Sequence, residues 1–150
     1  MKRNLRNLIN GLLIVCVFCG CNDTLEIQQK YSFDLITLPV PKRIKQNETV
    51  EIRCQIVKEG NYAGARDQIR YFQPDGRGEL RLDDGRLLTP NDLFLLKKDE
   101  FRLYYTSRCV ESQTIDVYIE DNFGQVVQKR FSFSHEKEEK EDSSYNKIGR

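Results

Sequence analysis

The chain has 150 residues, with 24 Lys+Arg against 23 Asp+Glu, one His, no Trp and a formal net charge of +1. So even a balance gives no electrostatic footprint for a polyanionic partner. A lone histidine, His135, leaves neither a histidine metal cluster nor the base of a histidine-dependent triad.

The first elements in chain order concern location. Lys2, Arg3 and Arg6 make a basic start, and Leu8 to Phe18 is mostly apolar, broken by Asn10 and Gly11. A basic head, a short apolar middle and small residues before a cut describe a secretory signal peptide. The apolar run is about half the ~20 residues that a spanning helix needs. Phe18-Cys19-Gly20-Cys21 resembles the bacterial lipobox, with Phe where Leu is usual. The resemblance implies that the Cys21 thiolate accepts diacylglycerol and that the chain is cut after Gly20, which leaves 130 residues. Bulky Val15 and Phe18 make Cys16 and Cys19 poor substitutes. A plain secretory signal or an uncleaved anchor is the alternative. The remaining chain carries 21 of the 24 basic residues and all 23 acids, and is long enough for one domain with a real core. Only Cys54 and Cys109 remain for that domain. An exported protein meets an oxidising space, so a bridge closing their 55-residue loop is chemically allowed, with two separate thiols as the alternative.

Residues 21–30 read as a polar tether, and strand signals then recur. Tyr31, Phe33 and Leu35 alternate with Ser32 and Asp34, and Pro39-Val40-Pro41 marks an edge or a crossing between sheets. From Thr49 to Val57, apolar Val50, Ile52, Cys54 and Ile56 alternate with polar residues, a strand with one dry face. Ile69–Gln73 is a strand ended by Pro74-Asp75-Gly76, and Leu80 and Leu82 lead into the tight turn Asp83-Asp84-Gly85. Short apolar pieces follow at Leu87-Leu88 and Phe94–Leu96. Phe101–Thr106, Ile115–Glu120 and Val127–Ser134 all alternate, the last two joined by Asn122-Phe123-Gly124 as a terminal hairpin, with Lys129 at a sheet end or snorkelling outward. Nothing after residue 30 carries helical spacing over three turns. About seven short strands with turn chemistry between them predict an all-β, immunoglobulin-like antiparallel β-sandwich over residues 31–134. Residues 135–150, almost without apolar side chains, predict a disordered charged tail, with a solvated charged helix as the alternative.

The chemistry-bearing motifs are sparse. Asp83-Asp84-Gly85 lacks the alternating oxygen ligands of a calcium loop, and the stretch around Gly76 and Gly78 has no lysine or helix after it to cradle phosphate. Arg66, Arg70, Arg77, Arg81 and Arg86 form the best case for an anion-binding surface, yet Asp67, Asp75, Glu79, Asp83 and Asp84 match them one for one, which argues against direct nucleic-acid binding. Tyr62, Tyr71, Phe72, Tyr104 and Tyr118 are the aromatic candidates for a glycan platform, with Tyr104 and Tyr118 pointing away from the core. No catalytic residue, metal ligand, cofactor or small-molecule substrate is implied.

The phrases Val50–Gln55, Arg70–Gly76, Pro90–Leu93, Phe101–Ser107 and Thr114–Gln125, with Ile27-Gln28-Gln29 and the lipobox, resemble the TraQ-like proteins of Bacteroides-type conjugative transposons over most of residues 1–134. The resemblance implies an envelope lipoprotein encoded among conjugation genes, with an immunoglobulin-like sandwich and no catalytic residues. Its partners would be the membrane, through a lipid on Cys21, and other protein components of the transfer apparatus. Asp23-Thr24-Leu25 also looks like the O-glycosylation tripeptide of such bacteria, which makes Thr24 a candidate acceptor. The resulting expectation is a non-enzymatic, membrane-tethered interaction or scaffold module, with a glycan-binding, adhesin-like surface lipoprotein as the alternative.

Overall fold

The computed structural model describes residues 31–60 and 64–136. Ten strands form among them: β1 (Phe33–Thr37), β2 (Arg43–Ile44), β3 (Thr49–Lys58), β4 (Asp67–Asp75), β5 (Gly78–Leu82), β6 (Leu87–Leu88), β7 (Phe94–Leu95), β8 (Glu100–Ser107), β9 (Gln113–Asp121) and β10 (Val126–His135). Seven are five residues or longer, and the other three have two residues each, so the expected seven strands stand with three short edge pieces added. They build an all-β sandwich of two five-stranded sheets, ordered β1-β3-β8-β5-β6 and β2-β10-β9-β4-β7. Every pairing is antiparallel except β2 with β10.

The period-two patterns place the core. Val50, Ile52, Cys54 and Ile56 of β3, Phe101, Leu103 and Tyr105 of β8, and Ile115, Val117 and Ile119 of β9 all face inward and are buried. Each such aliphatic side chain contributes about 1.5–3 kcal/mol relative to leaving it in water. The two-proline segment is a crossing: β1 lies in the first sheet and β2, just after Pro41, lies in the second. The Asp83-Asp84-Gly85 turn closes as expected, with Gly85 at φ +85° and its N–H donating to the Leu82 carbonyl at 3.0 Å.

Three local expectations change. β4 does not stop at Pro74 but runs to Asp75, because the ladder to β9 slips between Phe72 and Asp75 and the prolyl nitrogen is not asked for a rung. Lys129 lies mid-strand, on the inward row of β10 and half-exposed, so it does not mark a sheet end. β10 runs through His135, one residue past the predicted end of the domain. The signal segment, Cys21, Thr24, Tyr62 and the charged tail from residue 137 onward lie outside the described residues.

Candidate interaction surface

Alternation along β8 and β9 delivers several polar side chains to the interior. Tyr105 from the first sheet is fully buried, and its hydroxyl donates to Gln113 Oε1 of the second sheet at 2.6 Å while accepting from Gln73 Nε2 of β4 at 2.8 Å. Gln113 Nε2 donates to Ser107 Oγ at 2.7 Å, and Ser107 Oγ donates to the Cys109 carbonyl at 3.1 Å. The Tyr105 ring stacks on Phe133 with centroids 5.3 Å apart. Gly78 sits so close that a Cβ there would fall into the Tyr105 ring. Burial pushes the Tyr105 phenol up to about 12, so it stays neutral and serves as a cross-sheet pin rather than an acid or base. Sequence reading missed Gln113. The available signal was its parity, two residues before Ile115 on the inward row.

Cys54 and Cys109 are both buried and free, so the allowed disulfide is not formed. Cys54 lies opposite Phe101 at the start of β8, whereas Cys109 follows Ser107 at its end. Extended chain sets them more than about 20 Å apart, far beyond the reach of a bridge. The Cys54 thiol, pushed up to about 12 by burial, is held protonated, and Cys109 Sγ accepts the Arg77 N–H at 3.2 Å.

Polar residues outside the core are largely spent on one another. Arg130 Nε and its terminal nitrogen donate to the two oxygens of buried Asp116 at 2.7 and 2.9 Å, which holds the Asp116 carboxyl below the ordinary carboxylate range. Lys58 Nζ donates to Asp67 at 2.6 Å and Asp99 at 2.8 Å, tying β3 and β4 to the loop before β8. Burial would lower the Lys58 pKa, and these two hydrogen bonds overcome it, so it rises.

The predicted arginine patch is dispersed. Arg70 pairs with Glu120 on the outer face of the second sheet, Arg81 with Glu79 on the first sheet, and Arg86 with Asp84 in the β5–β6 turn. The aromatic platform is not assembled either. Tyr71 is buried at 2% exposure, Tyr104 belongs to the first sheet, and among the described candidates only Phe72 and Tyr118 meet, edge to face with centroids 5.5 Å apart. The Arg70 guanidinium lies over both rings, at 5.6 and 5.5 Å, so a face a sugar would stack on is already occupied. An open groove of about 490 Å³ runs beside β1, with Ile36, Leu38, Arg53, Lys98, Glu100 and Arg102 among its walls. No group of His, Cys, Asp and Glu among the described residues is placed to hold a metal ion.

The fold and its surfaces define a β-sandwich module whose polar groups cross-brace the sheets and whose open features are edges and grooves. The chain belongs to the family of TraQ conjugal transfer proteins, whose model matches residues 6–136. A conjugative transposon lipoprotein from Bacteroides eggerthii is 42% identical, with a TM-score of 0.66 over 69% of this chain and 98% of its own. A lipoprotein from Bacteroides thetaiotaomicron is 46% identical, with a TM-score of 0.66 over 86% and 99% of the two chains. A conjugate transposon protein from Bacteroides vulgatus is 44% identical, with a TM-score of 0.64 over 83% and 99%. No curated protein matches the chain.

Proposed function

We propose that this chain is a non-enzymatic envelope lipoprotein of a conjugative transfer apparatus, held to a membrane by lipid on Cys21 and acting through protein contacts. The single observation that carries this reading is the family match across residues 6–136, joined to relatives named as lipoproteins of conjugative transposons. The arrangement of polar groups supports contact rather than turnover. The phenol of Tyr105 and the thiol of Cys54 are both buried and neutral, and neither has a base beside it. The glycan-binding alternative loses its footing, because Arg70 lies over Phe72 and Tyr118, the one pair of candidate platform aromatics that meets among the described residues. More than one acyl chain on Cys21 would give stable anchoring, at about 0.8 kcal/mol per buried methylene. Cross-linking in donor cells during mating tests the reading. The chain should be joined to other products of the same transfer genes, and recovery of the chain alone would overturn it.

A further inference from the structure

β10 carries the longest unpaired main-chain edge in the sandwich. β2 covers only Ser134 and His135, and β9 pairs along the other side from Val126 to Phe133. The hydrogen bonds fix which groups face out. Asp121 N–H donates to the Gln125 carbonyl at 3.0 Å on the β9 side, and Ser134 N–H donates to the Lys42 carbonyl at 2.8 Å on the opposite side. Strand alternation therefore turns the N–H and C=O groups of Val126, Gln128, Arg130 and Ser132 away from β9. Among the described residues no main-chain hydrogen bond reaches them. β1 starts beside β10, where Gln125 Nε2 donates to the Tyr31 carbonyl at 2.9 Å, but its main-chain bonds go to β3, and the chain joins the second sheet only after Pro39–Pro41, at β2. Other edges are shorter or blunted. β2, β6 and β7 are two residues long, and on β1 the Asp34 carboxylate accepts the Leu35 N–H at 2.7 Å, with two prolines following.

Charge selects the occupant. Lys129 and Arg130 lie on β10 itself, and Lys42 and Arg43 lie beside the far end of this edge, at Ser134. Arg130 is answered by Asp116, whereas Lys129 has no ion-pair partner among the described residues. A second copy of β10, paired antiparallel over Val126–Ser132, would set Lys129 directly against its own symmetry mate, which like charge disfavours. We propose that the open edge of β10 takes an extended segment of another protein, alternating apolar and acidic residues, added as a strand beyond Val126–Ser132 with an acid near Lys129. This deepens the contact-module reading by naming the edge and the partner's chemistry. Main-chain bonds would give affinity, and Lys129 would act as the gate that admits an acidic strand and refuses self-pairing.

The test uses the full lipoprotein in detergent with two synthetic octapeptides, one alternating valine and glutamate, the other valine and lysine. Hydrogen exchange should slow by about tenfold or more at the amides of Val126, Gln128, Arg130 and Ser132 with the glutamate peptide, and not with the lysine peptide. Gln128→Pro removes an outward main-chain donor, together with the side-chain hydrogen bond to Asp116, and should abolish the protection. Lys129→Glu, which leaves every main-chain group in place, should reverse the peptide preference. Binding without protection of those four amides overturns the proposal. So does prior protection in the unliganded protein, whether from the chain's own residues 22–30 or from a second copy. A failed edge alongside transfer-gene products recovered by cross-linking would sink the docking strand and leave the tethered module standing.

Discussion

Tyr105 concentrates the energetics at the residue scale. Replacing it with Phe keeps the ring on Phe133 but strands Gln73 Nε2 and Gln113 Oε1, two groups that donate to and accept from its hydroxyl. Urea unfolding of Tyr105→Phe should show a loss of about 1–3 kcal/mol. Gly78→Ala should cost a similar amount, about 1–3 kcal/mol, by overpacking against the same ring. The cysteines make a separate prediction. Cys54 and Cys109 should react with a maleimide slowly in the native state and completely in urea, without prior reduction. A mobility shift on reduction that requires both residues would contradict their separation along β8. Inward parity made Tyr105 legible in the sequence. Its partners were hidden, because Gln73 and Gln113 look like ordinary surface residues until the two sheets close over them.

Elements were most legible where one face is dry. β3, β8, β9 and β10 follow their alternating patterns to within a residue or two, since a slip of one position would turn every apolar side chain to water. β2 escaped notice because two residues carry no period, and only Ile44, fully buried, marks it. The extension of β4 through Pro74 also had no local signal, because a bulge is a property of the pair of strands and not of one. The arginine cluster dispersed for a related reason. Residues close in sequence on β4, β5 and the turn after it separate onto two sheets that face opposite ways. Leu103→Ala, at the centre of β8 with no exposure, should destabilise the sandwich by about 2–5 kcal/mol in denaturant.

At the scale of the whole molecule, the ion pairs give stability a pH window. The folded-state pKa of Asp116 is held down by its hydrogen bonds from Arg130. Its contribution is therefore present above the unfolded carboxylate value, near 4, and is lost as pH falls through the folded value. Lys58 works in the other sense: its raised pKa stabilises below about 10.4 and is lost as pH climbs through the folded value. Asp116→Asn should flatten the acid limb of the stability profile and leave the alkaline limb unchanged, which thermal unfolding across pH would read. Beyond folding, the account requires a sandwich pinned to a membrane beside its partners. The most direct measurement is transfer frequency from donors carrying Cys21→Ser, with the protein followed by fractionation. The account predicts that the domain leaves the membrane fraction and that transfer falls. Normal transfer with the domain free in the soluble fraction would contradict it.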